Sequence, residues 1–178
     1  MKFASLIILL ALPAAAQDIK LPASLDRLAS KASNSVDINL DMTMLQLAAR
    51  FLSGKDPDEA RVKKLVGTLK GITVKSFEFD SRGEYNPSDL DEFRAQFRSP
   101  GWTRIVGVKS RNGENSDIYL RSENGQIAGL VVIVAEPREL TIVSILGTIS
   151  PDDLRDLGGH FGIPRMDVFP ARKGNKEF

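Results

Sequence analysis

The stretch "IAGLVVIVAEPRELTIVSILGTI", Ile127 to Ile149, decides the fold. It holds two apolar runs, Ile127–Ala135 and Leu140–Ile149, joined by the short link "EPRE". Both are rich in β-branched residues and too short to cross a bilayer as helices, so both read as strands. A link this short forces the second strand to turn back antiparallel on the first. Neither run alternates apolar with polar, as a strand with one wet face would. Both faces of this hairpin are therefore expected to be covered, by helices of the same chain or by another molecule. Val132 and Ile142, near the middle of the two runs, are the candidate binding residues if the cover is an envelope protein or a second copy of the chain.

Upstream, "WTRIVGVKS" and "SDIYLRS" are two further strands. "RNGEN" turns the chain between them, and "ENG" at Glu123–Gly125 is a hairpin signal before the next strand. Four consecutive strands with short links make an antiparallel meander. Further back, "VDINLD" alternates as a short strand. "ITVKSFEFD" is a longer one whose Val74 and Phe77 cannot share a face, which requires a bulge near Lys75–Ser76 or cover on both faces.

Helical spacing fills the rest. Leu21, Leu25, Leu28 and Ala32 form one stripe, with Pro22 suited to a first turn. "MTMLQLAARFLSG" has a wide apolar face, which predicts a well-buried helix ended by Gly54. "DPDEARVKKLVGTLKG" opens with Asp56 as N-cap, Pro57 at N1 and Glu59 at a capping-box position. Val62, Leu65, Val66 and Leu69 are its expected core stripe, and Gly71 its stop. "NPSD" at Asn86–Asp89 opens a helix with Leu90, Phe93 and Phe97 inward, and "SPDD" at Ser150–Asp153 opens another with Leu154 and Leu157 inward. The predicted class is α+β: one mostly antiparallel sheet with a C-terminal four-strand meander and helices packed on a face.

The first residues, "MKFASLIILLALPAAAQD", have a basic start, an apolar middle and Ala14-Ala15-Ala16 as a small-residue cleavage site. They read as a signal peptide over residues 1–16, cleaved before Gln17. No cysteine follows, so no lipid can be attached at a mature N-terminal cysteine. The expectation is an exported protein, periplasmic or secreted, with no transmembrane span. Residues 17–164 form one domain, and residues 165–178 a flexible tail.

Composition limits the chemistry. The chain has 24 Lys and Arg against 23 Asp and Glu, and loss of Lys2 with the leader makes the two equal. That balance gives no electrostatic case for nucleic acid or an anionic membrane as partner. The lack of cysteine removes disulfides, thiol catalysis and thiolate metal sites, and one histidine is too few for a histidine-based metal site. No nucleophile elbow and no glycine-rich phosphate loop is present, so no cofactor is expected. His160 lies in "LGGHFGIP", whose glycines and proline suit a helix end. It is the candidate if the protein is a small envelope hydrolase, together with the acids Glu78, Asp80 and Glu84. A third possibility, a carrier of a hydrophobic ligand, needs a cavity between sheet and helices. No catalytic residue and no metal ligand is assigned.

The segments "LPASLDRLASKAS", "MLQLAARFLSGKDPDEARVKKLVGTLKGITVKSFEFD", "PGWTRIVGVKS", "IAGLVVIVAEPRELTIVSILGTI" and "LGGHFGIP" together resemble a bacterial exported family, the domain-of-unknown-function family numbered 4252. The resemblance covers Leu21 to Pro164 in order. It implies an exported protein, and it brings no active site to carry over. The expected function is a non-enzymatic protein-interaction module.

Overall fold

The computed structural model describes residues 19–153. The leader, His160 and the tail after Pro164 lie outside these residues. The strands are β1 (Asn34–Asp41), β2 (Leu69–Glu78), β3 (Trp102–Lys109), β4 (Asn115–Glu123), β5 (Gln126–Ala135) and β6 (Glu139–Ile149). The helices are α1 (Ala23–Ala29), α2 (Met42–Ala49), α3 (Pro57–Val66) and α4 (Asp91–Ala95), the last flanked by 3-10 turns at Pro87–Leu90 and Gln96–Arg98.

All six strands form one sheet in the order β1-β2-β6-β5-β4-β3, with every neighbouring pair antiparallel. The fold is α+β, and β3 to β6 are the expected meander. Asn124 and Gly125, both at positive φ, make the tight β4–β5 turn.

The apolar runs of β5 and β6 are covered on both faces by the chain itself. One face carries Phe77, Tyr119, Val131, Ile133, Leu140 and Ile142, packed under Leu25 and Leu28 of α1 and under Leu90, Phe93 and Phe97. Phe97 sits at the centre of an aromatic group, edge-on to Phe93 and Trp102 and stacked on Tyr119 with centroids 4.7 Å apart. The opposite face carries Leu130, Val132, Val143 and Ile145, with Leu45 of α2 and the half-buried Leu65 and Val66 of α3. The helices thus divide between the two faces. On this second face Ile38, Val74, Val143, Val132, Ile118 and Val106 stand in one row across all six strands. Branched side chains suit such cross-strand packing.

Several local expectations are corrected. The register of β2 runs unbroken from Gly71 to Glu78, so no bulge sits at Lys75–Ser76. Val74 and Phe77 belong to opposite cores, and two-sided cover resolves their phase. The irregularity lies between Leu69 and Gly71 instead, opposite Gly147. There a Cβ on Gly147 (φ 136°) would come within 2.5 Å of the Leu69 Cα. α3 ends at Val66 with Gly67 as its cap, so Leu69 and Gly71 lie in β2. α2 ends at Ala49 rather than at Gly54.

The caps follow their chemistry. The Asp56 carboxylate accepts from the amides of Asp58 and Glu59. Glu59 does not close the box on Asp56; it accepts from the Ser53 amide and ties in the preceding loop. Asn86 and Asp89 do form a reciprocal box, and Ser150 and Asp153 exchange the same pair of bonds. One acid at each of these three places, Asp56, Asp89 and Asp153, is thereby engaged as a cap. Leu154 and Leu157, expected inward in the last helix, lie outside the described residues.

Candidate functional site

Val132 and Ile142 are 2% and 1% exposed and face opposite sides of the sheet. The structure makes them centres of the two cores and does not bring them onto one surface. Glu78 sits at the β1–β2 edge, where its side chain accepts from Asn34. Glu84 accepts from the Ser81 amide and closes a turn. Asp80 is exposed. Among the described residues no cluster of three His, Asp or Glu side chains is placed to hold a metal ion.

Two surfaces stand out, one on each side of the sheet. The first is the outer side of α2. Asp41 caps this helix by accepting from the Met44 amide. Leu45 points inward and is 2% exposed, and α2 packs on β1, β2 and α3. The wide apolar face expected to be buried is therefore only partly so. Met44 and Leu47, one turn apart, are about half exposed, and Phe51 in the following turn is 83% exposed. Met42, Val62 of α3, and Val36 and Ile38 of β1 are also exposed. The physical reason is position: α2 lies over β1 and β2, at one end of the strand order, and of its side chains only Leu45 is fully buried there. Arg50 and Lys55 follow α2 in the chain and Lys64 lies on α3; all three are exposed and make no ion pair with a described residue.

The second surface is a trough of about 600 Å³ on the other face, between α4 and the β3–β4 ladder. Its floor holds Asp117, a carboxylate with only 6% of its side chain exposed. Arg94 Nε donates to Asp117 Oδ2 at 2.9 Å, and Arg104 Nη2 pairs with Oδ1 at 2.5 Å. A charge this buried requires such partners. The geometry comes from a bulge. The β3 register slips between Arg104 and Val106, leaving Ile105 as the extra, exposed residue. The slip sets Arg104 and Gly107 on the same face, with Gly107 opposite Asp117. A Cβ on Gly107 would overlap the Arg104 guanidinium, so the glycine leaves the path from Arg104 to Asp117 open. Tyr119, next along the floor, is held protonated by burial and by the Asp117 charge, against the pull of Arg104, Arg94 and Arg98.

Neither surface was singled out by sequence reasoning. The Arg94–Asp117–Arg104 group joins a helix to two strands, and only the bulge makes the contact. The exposure of α2 depends on which strands the helix lies over. An available signal was the repeat of apolar residues all round "MTMLQLAARF", which exceeds what one buried stripe needs.

No helix among the described residues is long and apolar enough to cross a membrane. No curated protein matches the chain by sequence. A family model does, over residues 30–157, the span from the end of α1 through β6 that contains the whole sheet and both surfaces. The chain belongs to the family described as Domain of unknown function (DUF4252).

Proposed function

We propose that the protein is an exported, non-enzymatic interaction module of the bacterial envelope, and that it docks a partner protein through the outer side of α2. The N-terminal leader pattern supports export. The carrying observation is the apolar stripe of Met44, Leu47 and Phe51, turned away from the chain's own core. Large apolar side chains spaced one turn apart are the anchors of a helix laid into a groove. Methionine adapts readily to such surfaces. The basic residues Arg50, Lys55 and Lys64 select the partner's character: an apolar groove with an acidic rim.

A photo-crosslinking amino acid at Leu47, in cells making the full chain, tests the reading. The expected result is one envelope protein crosslinked at Leu47 and not at the exposed turn residue Asn112, with loss of the product in Met44→Asp. A crosslink only to the chain itself, or equal products from both positions, overturns it. Fractionation that leaves the protein in the cytoplasm overturns the export part alone.

A further inference from the structure

We propose that the trough over Asp117 is a binding site for a phosphate group carried as a monoester, distinct from the α2 surface and on the opposite face of the sheet. The buried Asp117 carboxylate engages two guanidiniums at once, Arg94 and Arg104. One carboxylate cannot neutralise both. Asp91 stands 3.8 Å from Arg94 Nη1, but its side chain is largely exposed and the contact is long. Two more cations, Arg98 and Lys109, line the same trough, and neither pairs with a described acid. Among the described residues that line the trough, four positive groups stand against two carboxylates, Asp91 and Asp117, and the excess of two charges matches a phosphate monoester dianion.

The arrangement is also shaped for an oxyanion. Asp117 fixes Arg104 from below, while about half of the Arg104 side chain remains exposed to the trough. Its planar fork is thus held with donors to spare, the condition under which arginine binds phosphate with two hydrogen bonds. The Tyr119 ring and the Phe97 ring stacked on it form a rigid wall. Lys109, at the end of β3, lines the same trough and adds a compact charge.

The test is a titration of the full mature chain with inorganic phosphate in low-salt chloride buffer, followed by amide proton–nitrogen NMR. Saturable shifts confined to the segments around Arg98, Arg104, Lys109 and Tyr119 are expected. Binding should weaken at least tenfold in the exposed double variant Arg98→Gln/Lys109→Gln. Shifts that never saturate, or equal affinity in the double variant, overturn the proposal. The phosphate could be soluble or could head a lipid, and vesicles containing phosphatidic acid separate the two. Sedimentation with these vesicles, abolished by the same substitutions, assigns a lipid. Saturable binding of free phosphate without sedimentation assigns a soluble ligand. The α2 variants leave this titration unchanged, so failure here and failure of the docking reading are separable.

Discussion

Leu45 and Leu47 stand two residues apart on one helix and have opposite fates: Leu45 is sealed into the second core and Leu47 faces solvent. The pair gives a direct measure of which side of α2 holds the fold. Leu45→Ala should cost about 3 kcal/mol, the usual loss for a leucine removed from a packed interior. Leu47→Ala should stay within about 0.5 kcal/mol, as exposed substitutions do. Urea unfolding of both variants checks this, and equal midpoints would show that α2 is seated with its other side inward.

Asp117 should be one of the most sensitive polar positions. Asp117→Asn keeps the shape but leaves Arg94 and Arg104 facing each other without the carboxylate between them. A loss of roughly 2–3 kcal/mol is expected, below the full penalty of a broken buried pair because half of Arg104 is solvated. Replacing Arg104 alone should cost less than replacing Asp117. The reverse order in thermal melts would mean that the carboxylate does not anchor the group.

Gly147→Ala should be severe for a methyl group. The added carbon meets the β2 backbone at Leu69, where neither strand can rotate away, and φ there is 136°. A cost of about 3 kcal/mol follows from strained backbone plus collision. Gly125→Ala, in the open β4–β5 turn with nothing near its Cβ, should cost only the conformational penalty of about 1 kcal/mol. Melting temperatures of the two variants separate the effects.

Tyr85 gives a pH dependence with a defined sign. Its hydroxyl donates to the carbonyls of Glu136 and Glu139, and its ring stacks on Phe79. Burial, reinforced by the Glu136 and Glu139 charges and opposed by Arg94, pushes its pKa from 10.0 up to about 12. Between these values the folded protein keeps a proton that the unfolded chain has released. Stability should therefore be full below pH 10 and fall as pH rises toward 12. Tyr85→Phe loses hydrogen bonds at neutral pH, about 1 kcal/mol, and removes this part of the alkaline decline. Parallel denaturation curves for the two proteins across pH 9–12 test the assignment, and identical slopes would refute it.

The meander was legible because its strand lengths and turn chemistry are local. "ENG" fixes one hairpin, and the doubly apolar runs of β5 and β6 announce a strand pair with two covered faces. The caps at Asp56 and Asn86 were legible for the same reason. What escaped is what depends on distant neighbours. For Val74 and Phe77 the sequence left a bulge and two-sided cover equally open, and only the packing of helices on both faces decides for cover. The bulge at Ile105 leaves no mark in an apolar strand sequence, and without it Arg104 is an ordinary surface residue. The exposure of Leu47 follows from the place of β1 and β2 at one end of the sheet, a matter of topology.

The strand order β1-β2-β6 carries a kinetic consequence. The meander closes through short turns, whereas pairing β2 to β6 joins residues such as Ser76 and Thr141, 65 positions apart. Loop-closure entropy makes that junction late. β3 to β6 should form the folding nucleus, with β1, α2, α3 and β2 adding as a limb held by one ladder. The same limb should open first in native-state hydrogen exchange, ahead of β5. A partner seated on α2 would then grip the least protected part of the molecule and slow its opening.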